Sequence, residues 1–434
     1  MQPRRPISSA ESSTSGPSPL ANHRSVGSLS MEAAPRTADE PPRGPSVAIL
    51  TNFLPPYELS LMGALHARLT RLHIYLSTPM EPNREWEPKW DGLPVTLQRC
   101  LTIRRRWKHP DGFVDVSYLH VPYDTLLLLH RDRPGVVISN ELGARTIQAV
   151  VYAKLYRKKL LIWATVSEST EKGRSALRVW TRRHLLRAAD AVIVNGRSGA
   201  AYIRTLHAGA RLYEIPRSVD YASVDRTPVE RQGGTRYTLL YVGQLTRRKA
   251  ILPFVSALAD RALVHPSLSI RMRIVGRGPQ EGILRALRLP PGLSLTIEPP
   301  VPYEELPRLY SQAGVLVLPS LADEWGKVVG EALASGLPVL GSTASQAVDE
   351  LVLEGETGWR FDPLDPSAMR AAIDRFLGSS ASDLERMGRM GKSLARRIDA
   401  NAVASRFGEA VDTELAVHPR PGRVPRRGRG RWQP

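Results

Sequence analysis

Ten short apolar runs, spaced along the chain and separated by amphipathic stretches, restrict this sequence to very few folds. Five lie in the first half: Val47–Leu50, His73–Leu76, Val136–Ser139, Leu160–Trp163 and Ala191–Val194. Five follow in the second: Leu239–Val242, Ile270–Val275, Leu293–Ile297, Val315–Leu318 and Val339–Leu340. Stretches with helical periodicity, such as Tyr57–Arg68, Ala144–Tyr156 and Ser175–Ala188, lie between several of them. Continuous apolar runs are strands buried on both faces, and their alternation with helices predicts α/β architecture with parallel sheets. The polar segment TPVERQGGTR (227–236) interrupts the pattern before it resumes. Two successive α/β units are therefore expected, over 45–215 and 237–380, joined by a linker over 216–236. A last helical pattern, about Ser382 to Leu415 within 381–416, is long enough to return to the first unit. Segments 1–44 and 417–434 read as tails, and Met31 is an alternative start.

Composition removes other classes. The single cysteine, Cys100, rules out an internal disulfide and suits a reducing compartment. No apolar run approaches the roughly 18 residues of a membrane span, and the first thirty residues lack the apolar centre of a signal peptide. The sequence thus suggests a cytoplasmic protein. The formal net charge is +18. Segment 1–44 holds five arginines against four acids, and 417–434 holds six arginines and no acid, so most of the excess falls on the folded body. Basic clusters occur at Arg104–Arg106 with Lys108, at Arg157–Lys159, and from Arg174 to Arg187. On a helical wheel Leu177, Trp180, His184, Leu185 and Ala188 share one face, and Arg178, Arg182, Arg183 and Arg187 the other. Such a helix is either an ordinary one with a solvated basic face or one drawn to anionic lipid head groups, at about 1 kcal/mol per cation near the surface. No basic strand interleaved with aromatics argues for nucleic acid.

Four segments carry chemistry. In VLVLPSLADEWGKVVGEALASGLPVLGS (315–342) a buried strand runs into an acidic turn, Asp323 and Glu324, and then a helix holding Glu331. Acids at a strand end and in the next helix converge on the crevice where doubly wound sheets hold ligands, and carboxylates accept hydrogen bonds from hydroxyl-rich ligands. Two ordinary surface acids near a helix start would read the same way. YVGQL (241–245) ends a strand at Gly243 and leads into Arg247, Arg248 and Lys249. Three cations there can neutralise a diphosphate, or simply be solvated at a loop tip. IVGRGP (274–279) ends another strand with Gly276 and Arg277, and PPVPYEEL (299–306) presents Tyr303 on a rigid loop as a wall for a flat base.

In order, YVGQLTRRKA, RIVGRGP, VPYEELPRLYSQAGVLVLPS, DEWGKVVGEALASGLPVL and ETGWRFDP resemble the retaining, nucleotide-sugar-dependent glycosyltransferases of family 4, with weaker similarity through LTNFLPPY, ADAVIVNG and IPRSVD. The resemblance covers about 45–415. It implies the GT-B architecture, two facing Rossmann-like domains with a cleft between. It implies a UDP- or GDP-sugar donor, an acceptor hydroxyl on a membrane-proximal or lipid-linked glycan, retention at the anomeric carbon, and neither metal nor cofactor. By it, Lys249 binds the donor diphosphate and Glu331 the ribose. Asp323 takes the donor-sugar hydroxyls, with Glu324 as the competing register, and the backbone of Glu324, Trp325 and Gly326 faces the sugar and β-phosphate. Gly276, Arg277 and Tyr303 lie near the nucleotide.

Three departures stand out. The arginine that follows the strand-end glycine in the family is Gln244 here, so that phosphate contact is either missing or moved to Arg247 or Arg248. A glycine-rich loop is replaced by Asn52-Phe53-Leu54-Pro55-Pro56-Tyr57. No N-terminal histidine is assigned to the reacting sugar: His66, His73, His109, His120, His130 and His184 read as structural or exposed. Glu141 and Glu168, each just past a strand, are the polar candidates on the acceptor side. Pro216 and Gly233–Gly234 suggest a hinge. Two other classes compete: a non-catalytic nucleotide-binding or scaffold protein on the same fold, and a sugar phosphorylase needing a pyridoxal-phosphate lysine.

Overall fold

The computed structural model describes residues 45–225 and 236–417, except 70, 83, 85 and 91. Both expected tails, the alternative start at Met31 and the linker glycines Gly233–Gly234 lie outside the described residues.

The first half forms a seven-stranded parallel sheet from β1 (Val47–Thr51), β2 (His73–Leu76), β3 (Val95–Leu97), β6 (Val136–Asn140), β7 (Lys159–Ala164), β8 (Ala191–Val194) and β9 (Leu212–Glu214), in the order β3-β2-β1-β6-β7-β8-β9. Between β3 and β6 the chain makes an antiparallel hairpin, β4 (Cys100–Lys108) and β5 (Val114–Pro122). The second half forms a six-stranded parallel sheet, with β10 (Thr238–Val242), β11 (Ile270–Val275), β12 (Leu293–Glu298), β13 (Val315–Leu318), β14 (Val339–Ser342) and β15 (Gly358–Phe361) in the order β12-β11-β10-β13-β14-β15. All ten apolar runs are strands, and the fold is the α/β, two-Rossmann arrangement that the alternation predicts. Strand order reverses beside β1 and beside β10, and at such switch points the loops diverge and leave a crevice at the strands' carboxyl ends.

Three features were not foreseen. β3 and β9 are three-residue edge strands, too brief to show a periodic signal, and the edge strand β15, Gly-Trp-Arg-Phe, lacks a continuous apolar run. The basic cluster Arg104–Arg106 lies on β4, whose side chains are largely exposed. The pattern from Ser382 to Leu415 is two helices, Ala381–Arg396 and Ala400–Val417, broken where Val219 donates its backbone N–H to Ile398 O at 2.9 Å. The second of them packs on helix Pro56–Arg68 of the first half. There Phe407 meets Trp163 edge-on at 4.9 Å, and buried Glu414 accepts from Arg211 and Tyr213 at 2.9 Å.

Helix Ala176–Ala188 departs from the wheel reading at both faces: Leu185 is buried and Arg178, Arg183 and Arg187 are exposed as expected, but Leu177, Trp180, His184 and Arg182 are not where it puts them. Leu177 and Trp180 are 73% and 58% exposed, whereas Arg182 is buried. The helix lies over the sheet on Leu185 and Leu186, and Arg182 turns inward to a bidentate pair with buried Glu171 and a hydrogen bond to the Tyr202 hydroxyl at 2.8 Å. Of the four arginines only Arg182 is drawn in, onto this internal anion; Arg178, Arg183 and Arg187 stay exposed. Among the described residues no helix is long and apolar enough to cross a membrane.

Candidate functional site

Both strand-order reversals open onto one cleft. Its main cavity, ≈ 410 Å³, is lined from the second half by Gly243, Gln244, Arg248, Lys249, Tyr303 and the run Ala322–Val328 with Glu331.

The loop after β10 and the loop after β13 are joined by a backbone hydrogen bond and a side-chain hydrogen bond. Leu321 donates its N–H to Arg248 O at 2.8 Å, and Arg248 Nη1 reaches Ala322 O at 3.1 Å. That join brings Lys249 Nζ onto Asp323 Oδ2 as an ion pair. Burial opposes both charges. At Asp323 it is outweighed by Lys249 and Arg248, which hold the carboxyl below its ordinary range; at Lys249 burial, helped by Arg248, pulls the ammonium down. The acidic turn is held from its other side by segment 344–347. Asp323 N–H donates to Ala344 O, Ser345 Oγ to Trp325 O at 2.6 Å, and Gln346 Nε2 to Glu324 O at 2.6 Å. Gly326 closes the turn at φ +94°, and a β-carbon there would lie 2.6 Å from Ser345 Oγ. The turn therefore requires glycine.

Glu331 follows on helix Lys327–Ala334, buried, and accepts from the Tyr310 hydroxyl at 2.7 Å. Burial raises its pKa, partly offset by that hydrogen bond and by Lys327. Glu324 differs. Its side chain opens to the water of the cleft, yet the walls of both halves surround it. That enclosure, with like charge from Glu141 and Glu171, lifts its pKa to about 7.

Of the expected donor-side residues, Lys249, Asp323, Glu331, Gly243, Arg248, Tyr303, Glu324, Trp325 and Gly326 line this cavity. Arg247, Gly276 and Arg277 do not. Arg247 and Arg277 are exposed, and Gly276 instead lets two loops touch, since a β-carbon on it would lie 1.9 Å from Gly243 O. Of the two cations offered as replacements for the arginine missing at Gln244, only Arg248 reaches the cavity. Glu141 lines a second, smaller cavity of ≈ 200 Å³, together with Asn52, Glu81, Asn140 and Glu324. Its backbone is left-handed at φ +69°, and its carboxylate accepts from Asn52 Nδ2 at 2.6 Å. Glu168 lies away from both cavities, with its backbone N–H on Ser198 Oγ at 3.0 Å. None of the six histidines lines either cavity.

Sequence reasoning missed several groups of the first half. Arg217, Arg84 and Arg174 bring further cations, and Trp107 and Phe113 at the end of the β4–β5 hairpin wall the cavity. Arg217 and Lys327 both pair with buried Glu58, the latter at 3.4 Å, while Lys327 Nζ donates to Ser218 O at 2.6 Å. Asn195 lines the cavity almost fully buried, with neither side-chain amide atom hydrogen-bonded among the described residues. Arg217 and Asn195 lie inside IPRSVD and ADAVIVNG, so the segments were visible while the roles were not. Among the described residues no group of three or more His, Cys, Asp or Glu side chains is arranged to hold a metal ion.

The sequence and the fold have counterparts among known proteins. The sequence pattern of the family described as glycosyl transferases group 1 matches residues 236–379. A D-inositol 3-phosphate glycosyltransferase of Catenulispora acidiphila is 28% identical over 309 residues, 66% of this chain and 69% of the relative. Sucrose-phosphate synthase from Thermosynechococcus elongatus superposes with a TM-score of 0.63 at 20% identity, over 86% of this chain and all of that one. The Anabaena protein HepE, solved with UDP-glucose, gives 0.63 at 16% identity over 85% of this chain and all of its own. The stretch that builds the cation loop, the acidic turn and the Glu331 helix thus matches the glycosyl transferases group 1 family, and the chain around it has the GT-B fold.

Proposed function

We propose that this chain transfers a sugar from a nucleotide-diphosphate sugar to an acceptor hydroxyl with retention at the anomeric carbon, as a family 4 enzyme of the cytoplasmic membrane face. The observation that carries the reading is the meeting of Arg248, Lys249, Asp323 and Glu331 in one cavity, within the segment that matches the family. A diphosphate entering beside Gly243 and Gln244 would take the Lys249 ammonium from Asp323. Asp323, once freed, is an acceptor for donor-sugar hydroxyls, and Glu331 for those of the ribose. Because HepE is solved with UDP-glucose, UDP-sugars are the first donors to try.

In the reaction the anomeric carbon–oxygen bond to the β-phosphate breaks and a bond to the acceptor oxygen forms on the same face. The departing phosphate oxygen takes the acceptor's proton, and the nucleoside diphosphate leaves. Charge building on it meets Arg248 and Lys249, already oriented and partly screened from water. The smaller cavity with Asn52, Glu141 and Asn140 is the acceptor side of this reading, and it meets the donor side at Glu324.

The test is to incubate purified protein with a panel of UDP- and GDP-sugars and measure nucleotide released, with and without polyol acceptors. Lys249→Ala should lower turnover by about 10²-fold or more, as for loss of one electrostatic stabiliser. Donor binding by calorimetry with no release from any sugar would instead leave a nucleotide-binding protein without transfer.

A further inference from the structure

Two neighbouring helices of the first half expose what helices usually hide. Helix Ala144–Tyr156 follows β6 and helix Ala176–Ala188 follows β7. Right-handed crossovers in one direction along the sheet put both on the same face, side by side. Their inner sides share one core through Ala149, Tyr152, Leu185 and Leu186. Their outer sides therefore look the same way.

Ile147, Val151 and Leu155 recur every four residues along the first helix, exposed by 47, 46 and 66%. Leu177 and Trp180, three apart on the second, are exposed by 73 and 58%. Scattered apolar side chains need no explanation, but a stripe on each of two adjacent helices does. Cations accompany them: Lys154, Arg157, Arg183 and Arg187 are exposed and form no ion pair among the described residues. Neither helix contains an acidic residue. Of the acids around them, Glu171 is buried and paired with Arg182, Glu141 lies 3.5 Å from buried Arg145, and Asp190 lies 3.2 Å from Lys159. Apolar side chains including an exposed tryptophan, flanked by long cations and free of acids, complement a surface with an apolar interior and an anionic rim.

We propose that the outer faces of helices Ala144–Tyr156 and Ala176–Ala188 form a docking surface for an anionic lipid bilayer, with Trp180, Leu177 and Leu155 entering the interface. Lys154, Arg183 and Arg187 lie against the head groups and bury only their stems. This deepens the membrane-face reading above and is independent of the transfer chemistry, because none of these residues lines either cavity.

The experiment is sedimentation of the full chain with vesicles of phosphatidylglycerol and phosphatidylcholine, against vesicles of phosphatidylcholine alone. The expected result is binding to the anionic vesicles that weakens with salt. Leu177→Ser/Trp180→Ser should lower the partition coefficient about 10-fold or more, given the area two such side chains bury. Arg183→Glu/Arg187→Glu should lower it and flatten its salt dependence. Both variants keep the arginine-rich segment 417–434, so undiminished binding would assign the attraction to that tail and overturn the proposal. Absence of binding to anionic vesicles would also overturn it, as would self-association by light scattering that disappears in Trp180→Ser. Nucleotide release in the absence of lipid should be unchanged in every variant. Its failure in the wild-type chain would count against the transfer reaction and leave the vesicle result standing.

Discussion

Lys249 and Asp323 must part before either can meet a ligand, so their ion pair sets a cost on donor binding that a diphosphate has to offset. Asp323→Asn removes the partner without removing the hydrogen-bonding shape. Expected is tighter binding of free nucleoside diphosphate and slower sugar turnover; calorimetry and turnover measured together would show whether the two effects separate. Glu324 makes a prediction about pH. Its folded pKa of about 7 lies above the ordinary 4.5, so the folded state holds this proton more tightly than the unfolded chain does. Its contribution is full below about pH 4.5, declines as pH rises to about 7, and is constant above. Glu324→Gln should remove that decline, and because cleft water reaches the carboxyl the gain at pH 8 should be on the order of 1 kcal/mol. Urea unfolding of both proteins at pH 4.5 and 8 measures it; equal pH slopes would mean the carboxyl is effectively solvated.

At the scale of elements, helix Ala176–Ala188 shows what periodicity omits. A wheel assigns faces from side-chain type, whereas a buried carboxylate can hold one arginine inside the protein while apolar neighbours stay exposed. Arg182→Ala should cost about 3–5 kcal/mol, because it leaves Glu171 buried without its main partner. Replacing both by apolar residues, Glu171→Leu with Arg182→Met, should cost much less. Denaturation midpoints of the single and double variants decide this; a mild single variant would mean that Arg174 or Arg178 takes over, since both lie within 3.8 Å of Glu171. The hairpin β4–β5 matters in the same way. Its first strand reads as a charge cluster because most of its side chains face water, yet its far end carries two walls of the cavity.

Across the whole molecule the cleft is tied shut at one edge. Gln346, from the second half, donates to Val166 O at 2.8 Å and accepts from Gly199 N at 2.9 Å. Ser169 Oγ donates to Ala344 O at 2.9 Å, and Arg197 pairs with Glu350 at 3.1 Å. Because Gln346 also holds the Glu324 carbonyl, closure and the shape of the acidic turn are one event. Gln346→Ala should speed amide exchange at Gly199 by about 10-fold and raise the donor KM more than it lowers kcat. Unchanged exchange at Gly199 would shift the closing role to the Arg197–Glu350 pair.

The sequence alone determined ten of the strands, the two parallel sheets and the loops that meet at the cleft, because buried parallel strands are written as uninterrupted apolar runs and strand-end loops follow from them; the short edge strands and the β4–β5 hairpin carry no such run. It also held the cation loop, the acidic turn and Glu331, whose local spacing is preserved on folding. Tertiary structure decided which of those side chains touch. It set Lys249 against Asp323, left Arg247 and Arg277 outside, turned Arg182 inward, and brought Arg217, Asn195 and Trp107 to the donor cavity from more than a hundred residues away or from another sheet. Those outcomes depend on long-range pairing and on desolvation, and neither quantity has a value until the chain has folded.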